Sequence, residues 1–518
     1  MSSQYKLLKN NSINYLDTKT LESWIKSAAD LLRGSSEGLR YIITLFFYKR
    51  ICDVYDDEVA EIKKDVTTKD ERQLKLIIKE GELTRFFVPK EAHFDEVRKT
   101  TVNLGQRLTE ALYKIAQENS PLQGVIDVVD FNETRTSHGQ RIRVISDDTL
   151  SKLLEIFHHH TIGLDEAEPD VIGRAYEYLI RLYAAGKGKT AGEFYTPREV
   201  AFLMAYCLDA QEGEEIYDPA VGSGGLLIKN HLVLKEKKGE IKKPLRLYGQ
   251  ERDPLTYALA KINMFLHNIE ETDIRLGDTL LNPAFIENNQ LKKFDKVVAN
   301  PMWNQKGYDD NFYDSDQYER FTFGYPTASS ADWGWIQHMF SSLDSKGKMA
   351  VILDTGSVSR GSGERHDREK SIRQKFIEKD LIESVILLPE NLFYNTSAPG
   401  IIMFISKHKP KERKGKILLI NTSKEFQKGK PKNYLGEKNI KKISDVYHKF
   451  KEIKGLSKIT TLEEVAKNDF NLSPSRYVSV EEKETYRPIR EMIHDLERVE
   501  GEKEKIEKKI KKIIRKLI

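Results

Sequence analysis

Four consecutive residues near the middle of the chain carry the groups needed to hold an amine. Asn300, Pro301, Met302 and Trp303 directly follow the apolar run Phe294–Ala299. The side-chain amide of Asn300 and the backbone carbonyl of Pro301 can each accept a hydrogen bond from an exocyclic amino group. The indole of Trp303 can stack on a planar base. The motif therefore predicts a site that presents an amino nitrogen, with its lone pair free, to an electrophile.

A glycine-rich turn upstream is typical of nucleoside-binding sites. Its residues are Asp218, Gly222, Ser223, Gly224 and Gly225. Glycines let the backbone pass close to a ligand, and a helix that starts after the turn would direct its N-terminus at that ligand. NAD is disfavoured, because a leucine stands at the third glycine position of the dinucleotide fingerprint. Combined with the amine-binding motif, the turn predicts methyl transfer from S-adenosylmethionine to an amine.

Two acidic residues complete the central part of the predicted cofactor site. Glu251 ends the next β-rich run, where an acidic residue can accept hydrogen bonds from both ribose hydroxyls of a nucleoside. Asp278 follows another short β-like segment, and we expect it to accept a hydrogen bond from the adenine amine of the cofactor. Both carboxylates are therefore assigned to cofactor binding.

A predicted helix start precedes the glycine turn. Thr196 and Glu199 have the spacing of a capping box, with Pro197 at the first helical position. The exposed N–H groups of this helix start could hold the methionine carboxylate of the cofactor, with two aromatic residues beside it. The predicted cofactor-binding residues of the segment are Glu193, Phe194, Tyr195, Thr196, Pro197 and Arg198.

Composition restricts the classes of protein that fit. The chain has 518 residues, 39% hydrophobic and 32% charged, with a net charge of +4, so two or three globular domains are expected. The first ten residues lack a signal-peptide core, and the longest apolar stretch, residues 41–48, is too short to span a bilayer. We therefore expect a cytoplasmic protein. No metal is predicted, because the two cysteines and the histidine triplet at 158–160 lack partners at ligand spacing.

The apolar pattern predicts an α/β, Rossmann-like domain between two other regions. Residues 1–165 are expected to form a helical N-terminal domain, residues 166–424 an S-adenosylmethionine-dependent methyltransferase domain, and residues 425–518 a basic region that ends in a helix. The last two β-rich runs are too close together for a helical crossover, so an antiparallel pair at the sheet edge is expected. The predicted strands are Glu215–Tyr217, Leu245–Tyr248, Val297–Ala299, Met349–Leu353, Ser384–Leu388 and Ile401–Ile405.

The C-terminal helix and two basic clusters point to other macromolecules. Apolar residues follow a heptad-like spacing from Ile489 to Leu517, interrupted by Lys503. Such a helix needs a coiled-coil partner, unless it folds back on its own domain. Lysines cluster at residues 407–416 and 428–442, where they could follow a nucleic-acid backbone or simply line solvated loops. The small net charge suggests that another chain shares any reading of a DNA sequence.

On these motifs the chain resembles the modification (methyltransferase) subunit of type I restriction-modification systems. The likeness covers most of the chain. Met302 is a departure, because the family usually has a second proline there, and the N–H that replaces it needs a partner. Further segments similar to the family are Leu21–Gly34, Leu45–Arg50, Ala331–Trp333 with Gln337 and His338, and Leu387–Pro389 with Leu392–Tyr394.

The resemblance implies N6-methylation of a flipped-out adenine in double-stranded DNA, with Asn300, Pro301 and Trp303 as catalytic residues. It also implies a specificity subunit that chooses the site, a second copy of the chain in an M2S1-type complex, and a restriction subunit that can join them. Two alternatives stay open: a methyltransferase acting on RNA or on protein glutamine, and a catalytically decayed scaffold subunit with Met302 as its first lesion.

Overall fold

The computed structural model describes most of the chain. The chain forms two compact units, residues 1–478 and 479–518. Among the described residues, no helix is both long and apolar enough to cross a membrane. The described residues are 16, 18–33, 38–65, 71–80, 83–137, 140–164, 178, 196–267, 269, 271–363, 367–393, 396–430, 432–479, 493, 496–503 and 506.

The first part of the larger unit is helical and has its own hydrophobic core. Trp24 packs edge-to-face against Phe46 and Phe157, at ring-centroid distances of 6.0 and 5.5 Å. The buried guanidinium of Arg50 donates to the backbone carbonyl of Ile162. The elements are α1 (Thr18–Leu31), α2 (Gly38–Asp65), α3 (Glu71–Glu80), α4 (Phe94–Arg98), α5 (Leu104–Glu118) and α6 (Asp147–His158), the 3-10 turns Lys90–Ala92 and Ser120–Leu122, and the hairpin β1 (Thr134–Ser137) and β2 (Gln140–Arg143).

The histidine triplet belongs to this helical part. His158 Nδ1 lies 3.2 Å from a carboxylate oxygen of Asp95, and the ring of His160 lies 4.7 Å from that of Trp24. In the part of the chain that the structure describes, no three His, Cys, Asp or Glu side chains are grouped as metal ligands.

A mixed nine-stranded sheet forms the centre of the second part. The strands are β3 (Glu215–Asp218), β4 (Arg246–Glu251), β5 (Thr272–Leu276), β8 (Phe294–Ala299), β9 (Leu343–Asp354), β10 (Ile382–Leu387), β11 (Gly400–Ser406), β12 (Lys416–Asn421) and β13 (Ser457–Thr461), while β6 (Ile286–Glu287) and β7 (Gln290–Leu291) form a separate hairpin. The spatial order is β13-β12-β10-β11-β9-β8-β3-β4-β5. The five strands from β9 to β5 in this order run parallel. All six predicted strands are present, with slightly different bounds.

Helices connect these strands and pack on the sheet. Asp253 caps the helix after β4, because its carboxylate accepts the N–H of Thr256 at 2.8 Å. The helices are α7 (Arg198–Leu208), α8 (Gly225–Lys238), α9 (Pro254–Leu266), α10 (Asp310–Asp314), α11 (Asp332–Ser341), α12 (Arg368–Glu378), α13 (Glu437–Lys449), α14 (Leu462–Lys467) and α15 (Pro474–Tyr477), with 3-10 turns at Thr355–Val358 and Lys411–Arg413.

The predicted pairing of the last two β-rich runs is confirmed, but their predicted place at the sheet edge is wrong. Strands β10 and β11 pair antiparallel. The other side of β10 pairs with β12, and β13 follows as the edge strand. The sheet therefore continues past residue 424, the predicted end of the methyltransferase domain. The division into three domains stays a prediction.

Helix α9 contributes to both cores of the larger unit. Ala258 and Ile262 pack in the core of the helical part, whereas Met264 belongs to the core around the sheet. The ring of Phe265 stacks on that of Phe86 at 4.2 Å. The helical part is thus fixed beside the ends of β4 and β5.

The described part of the second unit is helical and polar. Leu496, Val499 and Ile506 of the predicted apolar stripe are exposed. Coiled-coil pairing stays a prediction, because other positions of the stripe lie outside the described residues, namely Ile489, Met492, Ile510, Ile513 and Leu517.

Candidate active site

The carboxyl ends of β3, β4 and β8 meet at a cavity of about 430 Å³. Ligands of open α/β sheets bind at this end of the strands. The cavity brings together many of the predicted site residues, which come from five separate segments. Its lining includes Thr196, Asp218, Gly222, Ser223, Gly225, Glu251, Asp278 and Asn300.

The glycine turn adopts a backbone that other residues would strain. Gly222 and Gly224 have φ angles of 53° and 83°, in the left-handed region that favours glycine. A Cβ atom on Gly224 would also lie only 2.6 Å from the terminal methyl of Met264. Asp218 stabilises the turn, since its buried carboxylate accepts the N–H of Ala220 at 3.0 Å. Burial raises the pKa of Asp218 well above its usual range.

Glu251 is tied to both sides of the cavity. One carboxylate oxygen accepts the N–H of Gly222 at 3.1 Å, and the other accepts the N–H groups of Arg252 and Asp253 at 2.9 Å each. Burial raises the pKa of Glu251, although these N–H groups oppose the shift. The carboxylate is therefore held rigidly at the end of β4, where the ribose hydroxyls were predicted to bind.

Asp278 also lies at the cavity, and it shapes the turn after β5. Its Oδ1 accepts the N–H groups of Leu280 and Leu281 at 3.1 Å each. Thr279, in the same turn, donates to the carbonyl of Pro219 at 2.6 Å. One oxygen of Asp278 thus has a structural role, and the predicted contact with the adenine amine falls to the other oxygen.

The amide of Asn300 is held in one orientation by two neighbours. Trp303 Nε1 lies 3.1 Å from Asn300 Oδ1, and Asn300 Nδ2 lies 3.0 Å from Thr196 Oγ1. An indole N–H can only donate, so the amide atom that faces it must be the oxygen. A hydroxyl can accept, so the amide nitrogen donates to Thr196. Both contacts favour the same orientation of the amide.

The predicted capping box before the glycine turn is wrong. Helix α7 begins at Arg198 with Pro197 as its N-cap, and no side chain caps it. The hydroxyl of Thr196 accepts a hydrogen bond from Asn300. Arg198 lies over the ring of Phe202, at 5.4 Å from its centroid. The remaining predicted residues of this segment, Glu193, Phe194 and Tyr195, lie outside the described residues.

Trp303 is buried beside the cavity, and its ring is not among the groups that line it. The side chain is 8% exposed, and its ring lies 4.9 Å from that of Phe393 in an edge-to-face contact. A Cβ atom on Gly400 would approach the indole to 3.0 Å, so glycine is needed for this packing. Met302 lines the cavity instead.

Sequence analysis missed several residues of the cavity wall, among them Gln305 and Trp335. Trp335 lines the cavity, and its Nε1 donates to Gln305, another lining residue, at 3.0 Å. Gln305 in turn donates to the hydroxyl of Tyr308 at 2.9 Å. The only sequence signal was their position, since Gln305 follows Trp303 by two residues and Trp335 lies within the family-like block that begins at Ala331.

A buried cluster of charges holds the segment that follows Trp303. Arg360 contacts the carboxylates of Asp332, Asp354 and Glu369, and its Nη1 donates to Asn304 Oδ1 at 2.9 Å. The backbone N–H of Asn304 donates to Asp332 at 2.9 Å. Burial raises the pKa of Asp332 and of Glu369, while Arg360 opposes both shifts. Arg360 therefore joins three carboxylates to the segment that directly follows Asn300–Trp303.

The cavity fits a nucleoside cofactor. Its volume lies within the usual range for small-molecule sites. The left-handed glycines leave room for close approach to the turn, because a Cβ atom on Gly222 would meet nothing nearer than 4.0 Å. A carboxylate for hydroxyl groups, Glu251, stands at the end of the second strand, and the start of α8 directs backbone N–H groups to the same space.

Comparison with known families agrees with this geometry. Residues 167–485 match the N-6 DNA Methylase family, and residues 21–157 match the HsdM N-terminal domain. The type I restriction enzyme MjaVIII methylase subunit of Methanocaldococcus jannaschii is 36% identical over 509 residues, which cover 96% of this chain and 84% of the relative. The HindI methylase subunit of Haemophilus influenzae is 31% identical over 73% of this chain and 83% of its own.

A solved structure has the same architecture. The methyltransferase subunit of a type I restriction-modification system from Streptococcus thermophilus superposes with a TM-score of 0.73 at 27% identity. The match covers 90% of this chain and 100% of that one.

Proposed function

The chain belongs to the N-6 DNA methylase family as a type I restriction enzyme methylase subunit, and from this premise we propose that it methylates N6 of an adenine flipped out of double-stranded DNA. The methyl donor is S-adenosylmethionine. The observation that carries the proposal is the orientation of Asn300, whose amide oxygen is fixed at the edge of a nucleoside-sized cavity.

Bound S-adenosylmethionine supplies an electrophilic methyl group. The residues that would hold it are the glycine turn from Asp218 to Gly225, Glu251 for the ribose hydroxyls and Asp278 for the adenine amine. Thr196 lies between the cavity and Asn300, so it borders both ligands.

Asn300 and Pro301 would hold the target amine. An amide oxygen can accept two hydrogen bonds. The oxygen of Asn300 accepts Trp303 Nε1–H, and in this proposal it also accepts a hydrogen of the adenine amine, while the Pro301 carbonyl accepts the second hydrogen. With both hydrogens held, the nitrogen lone pair is free for transfer. The amine loses its proton only after its positive charge develops, so no strong general base is required.

Trp303 would stack on the flipped base, and this requires that its ring be uncovered. The ring packs against Phe393, in the loop that precedes β11. Displacement of this loop, or rotation of the indole, would expose an aromatic face. Flipping a base costs roughly a few kcal/mol, and stacking on the indole can offset part of that free energy.

Other subunits complete the proposed activity. We propose that a specificity subunit chooses the DNA site, that two copies of this chain join it, and that a restriction subunit can bind to that complex. The exposed apolar positions of the C-terminal helix, Leu496, Val499 and Ile506, support a helical partner.

The experiment that tests the proposal offers labelled S-adenosylmethionine with three substrates. The chain is co-expressed with the specificity subunit that we propose as its partner and incubated with unmethylated DNA, with RNA and with protein. Label recovered from DNA as N6-methyladenine is expected. Label in RNA or protein alone would instead support the alternative substrates, and absence of cofactor binding with or without the partner would support a decayed scaffold.

A further inference from the structure

A lysine-rich hairpin follows β12, and the structure describes its residues 424–430 and 432–434. Gln427 and Tyr434 exchange two backbone hydrogen bonds, of 2.9 and 3.1 Å. Gly429 allows the chain to turn tightly, because a Cβ atom there would lie 2.2 Å from the carbonyl oxygen of Lys432. We refer to this segment as the lysine hairpin.

The lysine hairpin is anchored to the loop between β10 and β11. Lys432 Nζ donates to Asn391 Oδ1 at 3.0 Å and to the carbonyl of Thr396 at 3.1 Å. Asn433 donates through its backbone to Asn391 and through its side chain to the carbonyl of Glu390, both at 3.0 Å. The same loop carries the ring that covers Trp303. The hairpin is therefore placed next to the proposed position of the flipped base.

The charges of the lysine hairpin are available to a partner. Lys424, Lys428 and Lys430 are exposed, and among the described residues none of the three has an acidic group within ion-pair distance. The acidic residue of the hairpin, Glu425, is instead paired with Lys442 at 2.6 Å. The surface presents several ammonium groups without a neutralising carboxylate.

We propose that the lysine hairpin binds the phosphate backbone of the DNA beside the flipped adenine. The inference rests on the proposed function and adds the surface that holds the duplex. Contacts to phosphates fix the position of a protein on DNA without reading sequence, and here they would hold the duplex beside the cavity. Lysine suits this role, since its ammonium is a compact charge that needs no particular geometry of the phosphate.

The test removes the charge from the hairpin in the complex with the specificity subunit. A variant with Lys424→Gln, Lys428→Gln and Lys430→Gln is titrated with a duplex that contains the site at which the complex methylates adenine. The titration is repeated at several concentrations of KCl. Each lost phosphate contact reduces the magnitude of the negative slope of log K against log salt concentration by about 0.9. We therefore expect the magnitude of the slope to fall by about 2 to 3, with weaker binding at low salt. Turnover at saturating DNA should stay close to wild type, because Asn300 and the cavity are untouched.

Two control variants make the result specific. Arginine at the same three positions keeps the charge and should restore the salt dependence. Lys346→Gln removes an exposed lysine near the start of β9, at the opposite end of that strand from Asp354, and it should leave the slope unchanged.

An unchanged slope in the triple glutamine variant would overturn the inference. The inference would also be overturned if the triple variant lost the specificity subunit while the remaining complex bound DNA with unaltered affinity. That result would mean that the hairpin binds protein. The proposed function is tested separately, by measuring the N6-methyladenine that the wild-type complex forms in the same DNA.

Discussion

At the scale of single residues, the reactive amide depends on neighbours from a distant part of the sequence. Asn300 lies at the end of β8, and Thr196 lies before α7, 104 positions earlier. Sequence analysis assigned Thr196 to the cofactor, because the residue stands at a helix start. The structure shows instead that its hydroxyl is used by Asn300, so a role in positioning the catalytic amide has to be tested beside the cofactor contact.

Replacing Thr196 separates these two roles. Thr196→Val keeps the shape of the side chain and removes the hydroxyl, so the amide loses one of the two contacts that orient it. We expect kcat to fall about tenfold, the effect of one hydrogen bond, with the Kd for S-adenosylmethionine nearly unchanged. Thr196→Ser should keep most of the activity. A weakened cofactor affinity with normal kcat in the valine variant would return Thr196 to the cofactor site.

The pKa of Glu251 gives cofactor binding a dependence on pH. Burial raises this pKa above its usual range in the folded protein. In the proposed site the ionised carboxylate would accept the ribose hydroxyls, so protonation would remove an acceptor. Affinity for S-adenosylmethionine should therefore fall as the pH is lowered through the raised pKa of Glu251. The fall should begin at a pH above the range in which ordinary carboxylates titrate. Titration calorimetry between pH 8 and pH 5 measures this, and Glu251→Gln should bind more weakly with a flatter profile. A wild-type affinity independent of pH would contradict the role of Glu251.

At the scale of elements, the sequence was informative where apolar runs are continuous. The predicted runs that became β3, β4, β8, β9, β10 and β11 are mostly apolar, and the strand ends place Asp218, Glu251 and Asn300 at one edge of the sheet. Strand β12 is the exception: Ile417–Ile420 is a continuous apolar run, but it was not predicted as a strand because it lies between two lysine-rich segments. Its strand character comes from pairing with β10 and β13, which local sequence does not encode.

The site was predictable to the same extent. Residues at strand ends, such as Asp218, Glu251 and Asn300, were placed correctly at the cavity. Gln305 and Trp335 were missed, because they reach the cavity from the irregular segment after β8 and from α11. Their contact is made across thirty positions of sequence, and no local pattern indicates it.

The role of Arg360 in holding the segment that follows Trp303 can be tested by substitution. Arg360→Met leaves three clustered carboxylates without their cation, which costs on the order of 3 kcal/mol for a buried pair. We expect a lower melting temperature and a lower kcat, because Asn304 loses its anchor directly after Trp303. Arg368→Met is the matched control. Its pairing with Asp310 is exposed, so its loss should leave the melting temperature close to that of the wild type. Equal melting temperatures for the two variants would contradict the proposed role of Arg360 in stabilising the cluster of carboxylates.

At the scale of the whole molecule, one helix joins the helical part to the cofactor site. One set of α9 residues packs in the N-terminal core and another in the core of the sheet. Asn263 of the same helix donates to the carbonyl of Ser223 in the glycine turn at 2.9 Å. The relative placement of the two parts follows from packing between surfaces, which the sequence of either part does not reveal.

The C-terminal helix is expected to act in assembly and not in folding. Deletion of residues 491–518 removes most of the separate compact unit formed by residues 479–518, so the larger unit should keep its melting temperature and its affinity for S-adenosylmethionine. Recovery of the specificity subunit in a pull-down should drop sharply. Unfolding of the truncated chain would show that this helix packs on its own domain instead.

The central claim is that Asn300 presents the amino group of a flipped adenine in DNA to the methyl donor. The most direct measurement quantifies N6-methyladenine formed in DNA by the complex with the specificity subunit, for the wild-type chain and for Asn300→Ala, with S-adenosylmethionine affinity measured on both. We predict N6-methyladenine from the wild type, none above background from the variant, and equal cofactor affinity. Unchanged methylation by Asn300→Ala, or methylation of a different base by the wild type, would contradict the account.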